Sequence, residues 1–95
     1  MAASDFLVHD PDDNVGVVVV EGVTSGKELA GLVLTDRSRL GVTALDDIPL
    51  GHKVALTDLV EGDTMTKYGH DCGRIVAPVK KGGHVHVHNV KTKRW

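Results

Sequence analysis

The chain has 95 residues, 41% of them hydrophobic, and a net charge of −2. This length is enough for one domain with a modest core and too short for two. We therefore expect a single domain over residues 1–95, with residues 1–5 disordered. A single cysteine, Cys72, excludes an internal disulfide framework and any metal site that needs several cysteines of this chain.

The beginning of the chain, Met1 to Asp5, has no basic region followed by an apolar run, and nowhere are 18 consecutive residues apolar. Secretory leaders and membrane-spanning helices need such runs. We therefore expect a soluble, cytoplasmic protein with no membrane partner.

A repeated pattern, in which apolar residues lie three positions before and after a glycine, organises the chain. It occurs four times: Val23-Gly26-Leu29, Ile48-Gly51-Val54, Leu59-Gly62-Met65 and Val79-Gly82-Val85. Glycine adopts positive φ angles at little cost, so each repeat predicts a chain reversal that leads into a strand.

Short apolar stretches between these turns favour further strands. They are Val15–Val20, Leu32–Thr35, Val42–Leu45 and Arg74–Ala77. The capping-box spacing at Ser25–Glu28 does not predict a helix, because Gly26 occupies the turn position of its repeat. One helical turn is expected around Ala55–Leu59, where Thr57 and Asp58 are good capping residues. The sequence predicts a compact all-β domain with glycine turns and at most this one helical turn.

Charge is distributed unevenly along the chain. Residues 1–65 have a net charge of −8 and residues 66–95 a net charge of +6. A basic, histidine-rich end attracts anions, such as a small carboxylate or sulfonate, or an acidic protein surface. We expect no nucleic-acid partner, because the chain has only three aromatic residues and its overall charge is negative.

Three histidines alternate with valines near the end of the chain, at His84, His86 and His88. This alternation is typical of a half-buried strand, whose pleat sends the three imidazoles to one face and Val85, Val87 and Val90 to the other. Such a row can bind a divalent metal, a carboxylate or a sulfonate. The alternative is an exposed strand face that simply carries histidine.

Several segments resemble the SAF domain found at the N-terminus of altronate and galactarate dehydratases. They are Asp46–Leu56, Glu61–Asp63, Lys67–Gly69, Gly73–Arg74 and His86–Asn89. The resemblance covers nearly the whole chain and implies a β-clip fold. In sugar-acid dehydratases this domain is fused to a large catalytic domain. Because this chain ends at Trp95, the resemblance implies a separate large subunit, as in the branch of the family that acts on sulfolactate.

The resemblance implies a lyase subunit that is inactive alone. The leading substrate is sulfolactate, which would give pyruvate and sulfite, and the alternative is a sugar acid of the altronate or galactarate type, which would lose water. The leaving group remains open. A divalent metal, often iron in this family, is expected mainly on the large subunit. A non-catalytic SAF binding or assembly module is the alternative from another class.

Site residues follow from the resemblance and from local chemistry. The expected catalytic residues are His52, Lys53, His86 and His88, of which His86 and His88 are also candidate metal ligands. The expected substrate-binding residues are Lys67, Tyr68, Arg74 and Asn89. His84 lies outside the family's His-x-His-Asn pattern and ranks below His86 and His88. Asp46, Asp47 and Asp63 are expected to be turn and capping residues.

The end of the chain is the expected partner interface. A large aromatic residue at a chain terminus has little local core to enter, so Trp95 should contact the large subunit, with Lys91, Lys93 and Arg94 around it. A homo-oligomer remains a further possibility.

Overall fold

The computed structural model describes residues 4–67, 70–86 and 90–91, and the side chains of all of these except residues 67, 70–72 and 91. This part of the chain contains strands, turns and bends but no helix. The strands are β1 (Phe6–Val8), β2 (Val15–Val18), β3 (Glu28–Val33), β4 (Arg39–Thr43), β5 (Lys53–Ala55), β6 (Thr64–Lys67), β7 (His70–Ile75), β8 (His84–Val85) and β9 (Val90–Lys91). The predicted all-β fold is confirmed.

The strands form two sheets. The larger has the order β4-β3-β1-β2-β5-β8, and the smaller has the order β6-β7-β9. Only β1 and β3 pair in parallel among the described strands. No described segment is a helix long and apolar enough to span a membrane.

All four glycine turns are present as predicted. Gly26, Gly51, Gly62 and Gly82 have φ angles of 93°, 87°, 95° and 89°. The turns associate in two pairs, because Val23 bridges to Ile48 and Leu59 bridges to Val79. All eight flanking apolar residues are buried, so the repeat supplies much of the core.

Aspartates support both pairs of turns. The Ser25 N–H donates to the Asp47 carboxylate at 2.9 Å, and the Lys81 N–H donates to the Asp58 carboxylate at 2.8 Å. The helical turn predicted around residues 55–59 is wrong. Ala55 ends β5 and Leu59 is held extended by its bridge to Val79, so Asp58 supports a turn instead of capping a helix.

The first core cluster is centred on the larger sheet. Phe6 is its largest fully buried side chain. A Cβ added at Gly31 or Gly16 would lie only 2.2 Å or 2.6 Å from the Phe6 ring. The two glycines on the neighbouring strands therefore make the space that this ring fills.

A second core cluster lies between the two sheets, and β2 and β5 contribute to both clusters. Val54 faces the first cluster and Ala55 the second, since consecutive residues of a strand point to opposite faces. Asn14 connects β2 to β6: its Nδ2 donates to the Thr64 carbonyl and its Oδ1 accepts from the Thr66 N–H, both at 2.8 Å. The second core keeps β5 and β8 in a fixed position relative to the smaller sheet.

The N-terminal strand was not predicted, because three residues are too few for a recognisable alternation. Disorder was expected for residues 1–5; of these the structure describes residue 4 and Asp5, which precedes β1 and is hydrogen-bonded to β3. Its N–H donates to the Ala30 carbonyl at 2.7 Å, and its carboxylate accepts from the Ala30 N–H at 2.9 Å. Residues 1–3 lie outside the described part of the chain.

Candidate functional site

His52 lies directly after the Gly51 turn, and backbone hydrogen bonds fix it on both sides. The Gly51 N–H donates to the Val18 carbonyl at 2.8 Å, and the Val18 N–H donates to the His52 carbonyl at 2.9 Å. The His52 N–H donates to the Pro49 carbonyl at 3.0 Å. These bonds tie the half-buried His52 to the end of β2, so the direction of its side chain is set by the sheet.

His84 begins β8, two residues after the last glycine turn. The Gly82 N–H donates to the Ala55 carbonyl at 2.8 Å, and the Leu45 N–H donates to the Gly82 carbonyl at 2.9 Å. A Cβ at Gly82 would lie 2.0 Å from the Thr43 carbonyl oxygen, so only glycine permits this approach. The His84 N–H donates to the Asp46 carboxylate at 3.0 Å.

The register of β5 and β8 explains why three histidines meet. Lys53 pairs with Val85 and Val54 pairs with His84, which places His52 opposite His86 one step further along. Paired residues on antiparallel strands share a face of the sheet. His52, His84 and His86 therefore lie on one face of this strand pair, while Val85 is buried in the second core.

The three imidazoles form a stacked cluster. The ring centroids of His52 and His86 lie 3.7 Å apart with an interplanar angle of 14°. His84 stacks less closely, at 4.9 Å and 26° from His52 and at 6.1 Å and 13° from His86. All three residues are half-buried, so the cluster is held by the protein yet reaches the surface.

One polar contact joins two rings of this histidine cluster. The Nδ1 atom of His52 lies 2.7 Å from the Nε2 atom of His84, a short hydrogen bond. A neutral imidazole carries one N–H and one lone pair, so one ring donates and the other accepts. Imidazole is a common general acid or base, so a pair of this kind is suited to proton transfer.

The described histidines do not fit a metal site. Metal ligands direct their lone pairs at one point, whereas stacked imidazoles direct their in-plane lone pairs along nearly parallel planes. No group of three His, Cys, Asp or Glu side chains in residues 4–66, 73–86 and 90 is arranged to hold a metal ion. The prediction of His86 and His88 as ligands remains untested, because His88 lies outside the described residues.

A recess adjoins the histidine cluster, with a volume of about 330 Å³. Its lining residues are Leu45, Asp46, Ala77, Pro78, Val79, Lys80, Gly83 and His84. Lys80 is exposed and supplies a cation at one wall, while His84 belongs to the cluster itself. The recess is large enough for a three-carbon acid, and its charged lining residues are Lys80 and Asp46, next to the histidine cluster.

The structure brings together some of the predicted site residues and separates others. Lys53 is half-buried and pairs with Val85, which places it on the face opposite the histidine cluster instead of converging with His52. Arg74 is exposed on β7, in the smaller sheet. Lys67 and Lys91 are described in backbone only, at the ends of β6 and β9. The remaining predicted residues lie outside the described part: Tyr68, His88, Asn89, Lys93, Arg94 and Trp95.

The histidine row is a shorter strand than predicted. Strand β8 ends at Val85 and the chain bends at His86, but His84 and His86 do share one face. From the sequence, His84 was expected to matter less than His86 and His88, and Asp46 was expected only to support a turn. The antiparallel pairing of the short strands β5 and β8 decides the contact, because it aligns Val54 with His84 and so brings His52 next to His84 and His86.

Comparisons with known proteins agree with this architecture. Residues 4–93 match the family described as the altronate/galactarate dehydratase SAF domain. The (2R)-sulfolactate sulfo-lyase subunit alpha of Chromohalobacter salexigens is 56% identical over 91 residues, which cover 96% of this chain and 97% of that protein. The protein of the same name from Paracoccus pantotrophus is 55% identical over 64 residues, which cover 67% of this chain and 96% of that protein.

A longer relative shares only this domain. The altronate dehydratase of Bacillus subtilis is 42% identical over 87 residues, which cover 92% of this chain but 16% of that protein. The family match spans nearly the whole chain, and the all-β fold is consistent with the fold that the resemblance implied. The chain belongs to the altronate/galactarate dehydratase SAF domain family.

Proposed function

We propose that this chain is the small subunit of a two-subunit lyase that eliminates sulfite from (2R)-sulfolactate. The observation that carries the proposal is the 56% identity to a protein named as subunit alpha of such an enzyme. The matched stretch covers 97% of that protein. The word subunit in the names of both similar proteins supports a partner chain, which we take to be a large catalytic subunit.

The proposed reaction is a β-elimination. A base removes the proton from the carbon that carries the hydroxyl and the carboxylate, a carbon–carbon double bond forms, and the carbon–sulfur bond breaks with its electron pair on sulfite. The resulting enol takes up a proton on carbon, loses the proton of its hydroxyl group and becomes pyruvate. Sulfolactate thus yields pyruvate and sulfite without an oxidant or a reductant.

The geometry supports specific roles for described residues. His52, in the histidine cluster, is suited to proton transfer, and His86 stacked against it limits the freedom of its ring. Lys80 at the neighbouring recess is suited to hold a carboxylate or sulfonate, since negative charge grows on the substrate as the proton leaves. Roles for Lys53, Lys67, Tyr68, Arg74, His88 and Asn89 in catalysis or substrate binding remain part of the proposal.

The proposal also includes a metal ion and a cellular compartment. We propose that a divalent metal, iron in our expectation, is held mainly by the large subunit. The steps described for the residues of this chain do not depend on it. The complex is proposed to be cytoplasmic, which suits a chain with a single cysteine.

The second candidate is the small subunit of a sugar-acid dehydratase. The 42% identity to the altronate dehydratase of Bacillus subtilis favours it, although the similar stretch is a small part of that protein. The same histidine cluster would serve loss of water, because both reactions begin with proton removal next to a carboxylate.

Purification of the tagged chain with its bound partner separates the two candidates. The partner is identified by mass spectrometry, and the complex is assayed with sulfolactate, altronate and galactarate. We expect pyruvate and sulfite in equal amounts from sulfolactate, and no turnover by the 95-residue chain alone. Dehydration of altronate without sulfite release would favour the second candidate, and turnover by the isolated chain would contradict a subunit role.

A further inference from the structure

We infer that His84 is a positioning residue that fixes the ring tautomer of His52, so that His52 exchanges protons with the substrate through its Nε2 atom. The inference deepens the proposed function and rests on it for the chemical step. Its structural basis is the 2.7 Å contact between His52 Nδ1 and His84 Nε2, which stands independently of any substrate.

The contact decides which nitrogen of His52 acts on the substrate. With Nδ1 engaged by His84, the nitrogen left for proton transfer is Nε2. If His52 donates its Nδ1–H to His84, its Nε2 carries a lone pair and is a base. Elimination begins with proton removal, so this is the direction of the hydrogen bond that we assign.

Stacking alone cannot select this arrangement. A 180° rotation of the His52 ring about its Cβ–Cγ bond exchanges Nδ1 with Cδ2 and Nε2 with Cε1 but keeps the ring in the same plane, so the stack on His86 at 3.7 Å is preserved. The hydrogen bond to His84 distinguishes the two orientations, because a ring carbon at the Nδ1 position could not make it. His86 therefore restrains the plane of the ring, while His84 fixes its orientation within that plane.

The backbone holds both partners of the hydrogen bond. The His84 N–H is anchored to the Asp46 carboxylate, and the His52 backbone is bonded to Pro49 and Val18. Two fixed backbones give the rings one relative position. When His52 takes up a proton at Nε2, its bond to His84 becomes charge-assisted, which stabilises the imidazolium that forms.

The first test uses variants of the reconstituted complex. Glutamine can place a polar atom near the position of His84 Nε2, whereas alanine removes it. We expect H84A to lower kcat by about 10- to 100-fold with little change in KM, the range typical of groups that orient a functional ligand or base. H84Q should recover most of that loss. The double variant H52A/H84A should be no slower than H52A alone, because His84 acts only through His52.

The second test measures tautomers in the full 95-residue chain. Nitrogen-15 NMR of the imidazole rings distinguishes a protonated from an unprotonated Nδ1. We expect His52 to be protonated at Nδ1 in the unsubstituted chain and in H84Q, and to shift toward the Nε2–H form in H84A. If H84A does not fold, the comparison of H84Q with H84N replaces it, since asparagine is too short to reach His52.

The outcomes separate this inference from the proposed function. An unchanged His52 tautomer in H84A, or a kcat equal to that of the unsubstituted complex, would overturn the positioning role. A tautomer shift in H84A together with no sulfite release by the unsubstituted complex would support the positioning role and refute the proposed function.

Discussion

His52 and His86 stack at 3.7 Å, one position beyond the Lys53–Val85 pair of the β5–β8 ladder. β8 is the edge strand of its sheet, so this face of the pair is open at one side. Val85, between His84 and His86, is fully buried on the other face and anchors the strand. The histidine side chains thus lie at the edge of the sheet, while Val85 between them still packs in the core.

Removal of either stacked histidine should reduce turnover. We expect His52→Ala to lower kcat of the reconstituted complex by about 10²- to 10⁴-fold, the usual contribution of a general acid or base, and His86→Ala to lower it as well, because His86 restrains the His52 ring. His9→Ala is the matched control, because His9 is exposed and outside the histidine cluster. Thermal melting checks that the fold persists. Near-normal turnover in both cluster variants would mean that this chain scaffolds a site whose chemistry lies in the partner.

Lys80 should bind the anionic substrate. We expect Lys80→Ala to raise KM for sulfolactate by about tenfold, or about 1.4 kcal/mol, with kcat nearly unchanged. Lys27→Ala, which removes an exposed lysine that does not line the recess, should leave KM as it is. Equal KM values for the two variants would exclude the recess as the anion site.

The Gly82 turn should tolerate substitution less well than the Gly62 turn. Both glycines have positive φ angles, so alanine costs about 1–2 kcal/mol at either position. At Gly62 the added Cβ meets nothing within 4 Å, whereas at Gly82 it would collide with the Thr43 carbonyl. Overpacking adds about 1–3 kcal/mol, so Gly82→Ala should melt well below Gly62→Ala. Equal melting temperatures would show that the 43–45 segment moves aside.

The C-terminal segment should contribute to subunit association. We expect deletion of residues 91–95 to weaken binding of the large subunit by at least about tenfold, because a buried tryptophan is a typical interface anchor. Titration calorimetry measures the affinity, and thermal melting of the truncated chain serves as the control. An unchanged affinity would refute the anchor.

Asp36 should titrate below its ordinary pKa of 3.8. The Ser38 hydroxyl donates to the Asp36 carboxylate at 2.6 Å and the Ser38 N–H donates at 2.9 Å, and both bonds lower the pKa. The stabilisation from these bonds is present above pH 3.8 and is lost as pH falls through the lowered pKa. Ser38→Ala should raise the pKa in an NMR titration, while Ser25→Ala, in another turn, should leave it unchanged.

The turns, much of the core and the family could be predicted from the sequence. A chain reversal with a positive φ angle favours glycine, so Gly26, Gly51, Gly62 and Gly82 marked the four turns, and their flanking apolar residues marked the core. The resemblance carried by segments such as Asp46–Leu56 indicated the family in the same way, since it rests on residue identity alone. The helical turn expected at residues 55–59 failed because a long-range bridge outweighed capping preference.

Relations between distant residues were decided by the tertiary structure. His52 and His84 are 32 residues apart in the chain, and the register of β5 and β8 brings their rings within hydrogen-bonding distance. A shift of one residue would send His84 to the other face, and the alternation of the chain alone does not choose the partner strand. That choice is made by the burial of Val54 and Val85 and by the close approach of Gly82 to the Thr43 carbonyl, which depend on the whole fold.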